Sequence, residues 1–205
     1  MSIISSVVFR VKNYYRKVKE KIIIPSYEEK RAIILEYKKK FSTNILVETG
    51  TFLGDTVEQF KNDFEKIISF ELSDELAANA QKRFENYSHI KIVQGDSGKL
   101  LLDQLKEIDN PCLFWLDGHY SSEFFMGDQY IITAKGDKNT PIVEELKKIL
   151  SHPVKQHVIL IDDARCFTGN DDYPTIDELK KIISEYRNDM SIVVKRDIIR
   201  ITPAS

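Results

Sequence analysis

Cysteine is scarce in this sequence: only Cys112 and Cys166 occur among 205 residues, and neither belongs to a Cys-x-x-Cys pair or a Cys/His cluster. This scarcity excludes a disulfide framework and a common zinc-binding pattern, and it is typical of proteins in a reducing cytoplasm. Long apolar runs are also missing, since a stretch such as Ile22–Ile24 is far too short to cross a bilayer. The first residues, MSIISSVVFR, do not resemble a secretory signal, because positive charge follows the apolar stretch.

The sequence has no overall excess of charge of one sign. Its formal net charge is −2 at pH 7, which predicts no general affinity for nucleic acid. With 42% hydrophobic residues, a chain of this length is most simply one domain with a sizeable core. The charge is unevenly distributed, because residues 1–40 contain 11 Lys and Arg against 4 Glu. The rest of the chain is therefore acidic.

A basic leader occupies residues 1–41 and is predicted to be helical. Apolar residues recur at roughly helical spacing as far as Val18, with Lys and Arg between them. Through residues 1–24 this amphipathic helix could lie on an anionic membrane, at its cytoplasmic face. Alternatively, it could pack on its own domain or on a second copy in a homo-oligomer. Pro25 is predicted to end this first helix, and a second helix is expected over residues 27–41 of the leader.

Apolar runs and helical stretches alternate in the rest of the chain, residues 42–205, which we predict to be one α/β domain. Such alternation is typical of a parallel sheet with helices on both faces. The chain ends differently, because SIVVKRDIIRIT contains two β-rich runs that predict an antiparallel hairpin. Between the fourth strand and its helix, the segment Tyr120–Asn139 is expected to be irregular. The predicted strands are Asn44–Glu48, Lys66–Glu71, Ile90–Gln94, Cys112–Asp117 and Val158–Asp162; the predicted helices are Thr56–Asn62, Asp74–Asn86, Lys99–Ile108, Thr140–Leu150 and Thr175–Arg187.

The carboxyl ends of the predicted strands are acidic, and in an open parallel sheet this is the edge where ligands bind. The first strand ends in the loop LVETGTFLGD, whose glycines Gly50 and Gly54 allow a tight turn and close approach of a ligand. Their spacing lacks the dinucleotide pattern G-x-G-x-x-G, and Glu48 would repel a pyrophosphate but attract an ammonium group. Glu71 is placed to accept hydrogen bonds from ribose hydroxyls, and Asp96 from an adenine amino group.

Ammonium, ribose and adenine together describe S-adenosylmethionine, whose sulfonium is also cationic. Over residues 42–203 the chain resembles the class I S-adenosylmethionine-dependent methyltransferases. VETGTFLGDTV resembles the first motif of this family, ISFELSDEL its ribose-binding motif and VQGDSGKLL its adenine-side motif. The resemblance implies a Rossmann-like, doubly wound, mostly parallel seven-stranded sheet that ends in an antiparallel hairpin. The predicted cofactor-binding residues are Glu48, Gly50, Thr51, Gly54, Glu71, Asp96, Ser97 and Asp117.

The first motif departs from the usual acid-x-G-x-G loop, because three residues precede Gly54. Beyond it, Asp117 follows the fourth strand, and Asp162 and Asp163 follow the fifth. In the topology that the resemblance implies, these strands are neighbours, about 4.8 Å apart, and the three carboxylates would repel one another without a cation. Mg²⁺ suits them, because it takes oxygen ligands and keeps positions open for water or substrate. Alternatively, Asp117 could contact only the methionine part of the cofactor.

This set of acids is similar to the Asp…Asp-Asn metal site of catechol-type O-methyltransferases. It is more similar to the macrolide-sugar (macrocin-type) O-methyltransferases, in which an Asp-Gly-x-Tyr-like stretch precedes a paired-Asp strand end. The resemblance therefore implies metal-assisted methylation of a hydroxyl oxygen, with a sugar in a glycan or glycosylated metabolite as acceptor. His119 is predicted to be the base, since its ordinary pKa is about 6.5. It could instead be a metal ligand, a turn residue or a buried structural imidazole.

Three other functions are compatible with these residues. A metal-independent N- or C-methyltransferase would use the same cofactor. A nicotinamide-dependent oxidoreductase is disfavoured by Glu48 and by the missing third glycine. A catalytically silent binding module would be recruited to membranes by residues 1–24. The segment Tyr120–Asn139 is expected to cover the substrate or to form a dimer contact, whereas His89, His152 and His157 are expected to be structural.

Overall fold

The structure of the protein is a computed structural model that describes residues 23–120, 123–126 and 129–204. In these residues it has nine strands and six α-helices. Apart from Ile23 and Ile24, the leader helix predicted over residues 1–24 lies outside the described residues. In chain order the elements are α1 (Tyr27–Phe41), β1 (Ile45–Thr49), α2 (Asp55–Phe60), β2 (Lys66–Glu71), α3 (Asp74–Arg83), β3 (Ile90–Gln94), α4 (Ser97–Leu105), β4 (Cys112–Leu116), β5 (Glu123–Met126), β6 (Gln129–Ile132), α5 (Ile142–Ser151), β7 (Val158–Ile161), α6 (Ile176–Tyr186), β8 (Met190–Lys195) and β9 (Ile198–Pro203).

Seven of the strands form one sheet in the order β3-β2-β1-β4-β7-β9-β8. The first five in this order are parallel, and β9 lies antiparallel between β7 and β8. The chain therefore begins in the middle of the sheet, runs outward to β3 and then returns to β4. The predicted α/β Rossmann-like fold with a concluding antiparallel hairpin is confirmed. The point at which strand order reverses lies between β1 and β4, where open sheets of this kind bind ligands.

The central strands are nearly continuous apolar runs because helices cover both faces of the sheet. Every residue of β4 is buried, as expected for a parallel strand without a solvent face. One core cluster joins the sheet to α4, α5 and α6, with Leu146 fully buried at its centre. The other joins the sheet to α1, α2 and α3, and it contains Trp115. Trp115 is thus a core residue.

Helix α1, which belongs to the predicted leader, packs on the sheet. It begins with a capping box, in which Ser26 and Glu29 satisfy each other's backbone N–H groups. Its buried residues, Ile33 and Ile34, join the same core cluster as Trp115 and Leu160. This packing gives α1 a fixed position at the sheet, while the division of the chain at residue 41 stays a prediction.

Two differences from the predicted elements have local causes. The segment Tyr120–Asn139, expected to be irregular, contains the antiparallel hairpin β5–β6. Its β-favouring residues flank a Gly-Asp pair, a hairpin signal that is weak over such short strands. Helix α4 begins at Ser97, two residues before the predicted start, because the backbone is extended at Asp96, which occupies the N-cap position without a side-chain cap hydrogen bond. The remaining helices and strands lie within a few residues of their predicted bounds.

Candidate functional site

A cavity of about 440 Å³ opens at the carboxyl ends of β1, β2, β3 and β4. Its volume is in the range of small-molecule and cofactor sites. Of the predicted cofactor-binding residues, Gly50, Glu71, Asp96, Ser97 and Asp117 line it. Phe52, Leu72 and Leu76 contribute apolar wall, so the cavity offers carboxylates at some points and surface for a flat ring at others.

The glycine loop after β1 adopts a conformation that only glycine accepts readily at its first position. Gly50 has φ 89°, and a Cβ atom there would lie 2.7 Å from the carbonyl oxygen of Asp117. The backbone N–H groups of Gly50 and Thr51 donate to the carbonyl oxygen of Phe70, at 3.0 and 2.9 Å. The loop is therefore held between the ends of β2 and β4, at the wall of the cavity.

Glu71 lies at the end of β2, where the sequence predicts a ribose-binding carboxylate. One of its oxygens accepts from the backbone N–H of Phe52 at 2.7 Å, and the other accepts from that of Ser73 at 2.9 Å. The side chain is therefore fixed at the cavity wall by two backbone groups. Each carboxylate oxygen has a further lone pair with which it could accept from a ligand hydroxyl.

Asp96 and Ser97 form the end of the cavity beyond β3. Asp96 caps α4 by position and lies 3.5 Å from the ammonium of Lys99. Ser97 is buried, and its hydroxyl donates to Glu145 on α5 at 2.5 Å. Burial raises the pKa of Glu145 to about 7, although the Ser97 hydrogen bond opposes this effect. The Ser97 hydroxyl is therefore engaged in a buried hydrogen bond to Glu145 at the cavity wall.

Glu48, Thr51 and Gly54 do not line the cavity. Glu48 is buried beneath the glycine loop, where it accepts a hydrogen bond from Ser69, whose hydroxyl also contacts that of Thr51 at 2.6 Å. Burial raises the pKa of Glu48 to about 8, more than the Ser69 hydrogen bond lowers it. At neutral pH Glu48 is thus mostly protonated. Glu48 would have to lose that proton before it could attract an ammonium group as predicted.

The second half of the segment Tyr120–Asn139 forms one wall of the cavity. Thr133, Gly136 and Asn139 are among its lining residues. The backbone N–H of Tyr120 donates to the carbonyl oxygen of Asn139 at 2.8 Å, which closes the base of the segment. Asn139 is held in turn by Asp172, which accepts from its backbone and side-chain amides at 2.8 and 3.0 Å. The placement agrees with a cover over a bound ligand, which stays a prediction.

Asp117 and His119, which both line the cavity, also belong to a second group of polar residues. The imidazole of His119 lies between two carboxylates, with Nδ1 3.3 Å from Asp117 and Nε2 3.7 Å from Asp163. The hydrogen bond to Asp117 raises the pKa of His119 above its ordinary value, burial lowers it, and the negative charge of Asp163 adds to the increase. Ligand atoms of these three residues lie within 4.8 Å of one another and could hold a metal ion.

The sequence predicts Asp162 as the third metal ligand, and the structure shows it held by a cation from α1. The ammonium of Lys30 contacts one oxygen of Asp162, whose side chain is only 2% exposed. The other oxygen, Oδ1, is buried and has no hydrogen-bond partner among the described residues. Burial raises the pKa of Asp162, the charge of Asp117 adds to the increase, and the hydrogen bond from Lys30 opposes it.

Asp163 also has a cationic partner. Its backbone is left-handed, with φ 58°, at the turn from β7 into a short 3₁₀-helix (Ala164–Cys166). Arg165 forms an ion pair with Asp163 at 2.6 Å and also pairs with Asp197, which lies in the turn of the β8–β9 hairpin. Arg165 is therefore a bridge between two carboxylates. Asp197 is not among the site residues that the sequence predicts.

Lys30 and Glu145 are the other residues of the site that the sequence does not predict. Lys30 lies in a helix rich in Lys and Glu, and Glu145 lies on the first turn of α5, where acidic residues are common. Only the packing of these helices on the sheet brings them to the strand ends. Their charges alone carried no signal that would distinguish them from solvated surface residues.

Comparison with protein-family models and with curated proteins gives no match. Solved structures do match. The S-adenosylhomocysteine-bound methyltransferase PaMTH1 of Podospora anserina aligns at a TM-score of 0.57 with 14% identity, over 88% of this chain and 80% of that one. The O-methyltransferase TomG of Streptomyces achromogenes, involved in tomaymycin synthesis and in complex with S-adenosylmethionine, aligns at 0.58 with 12% identity, over 93% and 86%.

A protein that methylates nitrogen has the same fold. The N-methyltransferase NodS of Bradyrhizobium japonicum, in complex with S-adenosylhomocysteine, aligns at a TM-score of 0.53 with 11% identity, over 89% of each chain. At such low identity the likeness concerns the fold and not the acceptor. The chain therefore has the α/β Rossmann-like fold of S-adenosylmethionine-dependent methyltransferases.

Proposed function

We propose that this protein is an S-adenosylmethionine-dependent O-methyltransferase that acts on a sugar hydroxyl in a glycan or glycosylated metabolite. The observation that carries the proposal is the meeting of two features at one sheet edge. A cavity lined by Gly50, Glu71 and Asp96 is also lined by Asp117 and His119, which form a charged group with Asp163. The first suits the cofactor, and the second suits activation of a hydroxyl. S-adenosylmethionine would supply the methyl group.

Different residues of the cavity would bind different parts of the cofactor. Glu71 would accept hydrogen bonds from the ribose hydroxyls, because its two oxygens are fixed by backbone N–H groups at the cavity wall. Asp96 would accept from the adenine amino group at the far end of the cavity. The negative charge of Asp117, next to Gly50, would favour the cationic methionine part.

A divalent cation could be held by Asp117 and Asp163, with His119 or Asp162 as a further ligand. The chemistry of these donors fits a metal, since the buried oxygen Oδ1 of Asp162 has no partner among the described residues. A second cavity of about 10 Å³, lined by Asp117, His119 and Asp162, has room for one occupant of water or ion size. When bound, Mg²⁺ would supply Lewis-acid activation of the acceptor hydroxyl. Where Asp162 is the further ligand, His119 would accept the proton of that hydroxyl.

One observation favours a metal-independent methyltransferase as the second candidate. Each of the three strand-end carboxylates already faces a side chain that can carry positive charge: His119 at Asp117, Lys30 at Asp162 and Arg165 at Asp163. These three side chains therefore partly relieve the repulsion among the carboxylates, which is the reason to expect a metal there. Such an enzyme could methylate nitrogen or carbon and would be insensitive to EDTA.

Isothermal titration with S-adenosylhomocysteine, followed by a methyl-transfer assay on sugar acceptors, tests the main proposal. We expect binding to the wild-type protein, and a loss of affinity of roughly tenfold or more in Glu71→Ala, because a buried hydrogen-bonding carboxylate is removed. Glu65→Gln, an exposed change at the amino end of β2, is the matched control. Absence of S-adenosylhomocysteine binding by the wild-type protein would refute the proposal.

Peripheral membrane contact through residues 1–24, at the inner face of the membrane, is a separate part of the proposal. The support is the basic amphipathic pattern of the leader, together with the exposure of Ile23 (60%) and Ile24 (56%). Among the described residues, no helix is long and apolar enough to span a bilayer. A catalytically silent binding module would share this contact and show no methyl transfer.

A further inference from the structure

Lys30 brings a positive charge from α1 to the carboxylates at the ends of β4 and β7. Its ammonium contacts Asp162, and it also interacts electrostatically with Asp117 and Asp163. The side chain of Lys30 is 25% exposed, so the charge is partly removed from water. Burial alone would lower the pKa of Lys30, but the hydrogen bond to Asp162 and the other two carboxylates raise it. Lys30 therefore stays charged near neutral pH.

The position of Lys30 changes which atoms are available to a metal. Asp117, His119 and Asp163 have ligand atoms within 4.8 Å of one another, and Asp162 does not belong to this group. Asp162 instead directs one oxygen to Lys30, while its buried second oxygen has no partner among the described residues. Its side chain lines the small cavity that Asp117 and His119 also line. Half of this carboxylate is thus engaged by a cation, and half is not.

We propose that Lys30 is the resident counter-ion of this carboxylate cluster, that it competes with a divalent metal for Asp162, and that it thereby sets the metal affinity of the site. The inference rests on the metal part of the proposed function. A metal that binds near Asp117 and Asp163 must overcome repulsion from the ammonium of Lys30. To recruit Asp162 fully, it must also displace that ammonium. Removing the charge should free Asp162 as a ligand and increase affinity.

Metal binding by Lys30→Met tests this inference directly, with Mn²⁺ as the probe and electron paramagnetic resonance of the free ion as the readout. We expect Lys30→Met to bind Mn²⁺ at least about tenfold more tightly than the wild type, since a charge within 4–6 Å of a site shifts binding of a cation by this order. Lys30→Arg, which keeps the charge, should stay near the wild type. Lys39→Met removes an exposed lysine from the same helix and should also leave affinity unchanged.

A double-mutant cycle identifies the ligand that is released. In an Asp162→Asn background, Lys30→Met should no longer increase Mn²⁺ affinity, because the carboxylate that it frees is absent. Equal or weaker affinity in Lys30→Met, or no Mn²⁺ binding by either protein at millimolar metal, would overturn the inference. Far-ultraviolet circular dichroism shows that each variant is folded. S-adenosylhomocysteine titration separates this outcome from failure of the proposed function, because the cofactor cavity does not include Lys30.

Discussion

The sequence predicts an acidic side chain at Glu48, but it does not predict the protonation state of that side chain. An acid at the end of β1 follows from the sequence, but its contact with Ser69 and its burial beneath the glycine loop do not. A group whose pKa is raised to about 8 is mostly protonated at pH 7. If the ammonium group of the cofactor approaches Glu48, that pKa must fall, and a proton must be released.

We therefore expect binding of S-adenosylhomocysteine at pH 7 to release close to one proton, with Glu48 as its source. Calorimetric titrations in buffers of different ionisation enthalpy measure this number. The Glu48→Gln variant should show almost no release, whereas Glu65→Gln should behave like the wild type. Equal proton release in Glu48→Gln and the wild type would show that Glu48 does not face the ammonium group.

Gly50 provides a second prediction for a single residue. An alanine there would place Cβ 2.7 Å from the carbonyl oxygen of Asp117 while keeping φ at 89°. We expect Gly50→Ala to lower the free energy of unfolding by about 1–3 kcal/mol, because both the clash and the backbone strain must be relieved. Urea unfolding measures the loss. Gly136→Ala is the matched control, since its Cβ would meet Leu72 at an ordinary 3.5 Å, and a similar loss there would contradict the argument.

His119 is held between Asp117 and Asp163, and its raised pKa has a defined consequence for catalysis. As a base it must be neutral, so kcat/KM should increase with pH and level off only above a midpoint higher than 6.5. His119→Gln should lower kcat/KM by about 10² to 10⁴-fold. Nuclear magnetic resonance titration of the His119 ring measures the midpoint independently of activity. A midpoint at or below the ordinary value would contradict the raised pKa.

Elements of the fold meet at a buried pair of histidines on the opposite edge of the sheet. The backbone N–H of Cys112 at the start of β4 donates to Nδ1 of His157, at 3.0 Å. The proton of His157 must therefore be on Nε2, which faces Nδ1 of His152 at 2.9 Å. His152, at the end of α5, in turn donates through Nε2 to the carbonyl oxygen of Leu105 at 3.0 Å. The chain of hydrogen bonds joins α4, α5, β4 and the start of β7.

Burial lowers the pKa of His157 to about 3, and the charges near it act in the same direction. The unfolded chain, with a pKa near 6.5, binds the proton first as pH falls. The stability from this neutral histidine is complete above about pH 6.5 and is lost as pH decreases towards 3, at about 1.4 kcal/mol per pH unit. Urea unfolding from pH 7 to 4 should show this slope. In His157→Gln this slope should be smaller by about 1.4 kcal/mol per pH unit, the contribution of one proton. An unchanged slope would show that His157 is not its source.

At the scale of the whole molecule, the leader should act as a membrane anchor separate from the site. Deletion of residues 1–22 should abolish sedimentation with anionic vesicles, because each Lys or Arg near such a surface contributes about 1 kcal/mol. S-adenosylhomocysteine affinity should be unchanged, since the described residues proposed to hold the cofactor, Glu71, Asp96 and Asp117, all lie at the ends of the sheet strands. Vesicles of neutral phosphatidylcholine are the control. Equal binding to both vesicle types, or binding that survives the deletion, would contradict the electrostatic argument.

The sequence by itself determined the fold class and the edge of the sheet that carries the site. Apolar runs covered on both faces, alternating with amphipathic helices, permit few arrangements other than a parallel sheet. Because all parallel strands end at the same edge, acids such as Glu71 and Asp117 had to be close together. Local patterns of this kind are readable because each depends on a few adjacent residues.

Tertiary structure decided which of these acids face a ligand and which have a partner from elsewhere in the chain. Lys30 reaches Asp162 across 132 positions of sequence, and Asp197 reaches Arg165 across 32. Neither partner carries a local signal, because a lysine in a charged helix and an aspartate in a turn are ordinary surface residues. Burial of Glu48 depends in the same way on the loop above it. Charge state and pairing are properties of packing, so they emerged only when the helices and loops were in place on the sheet.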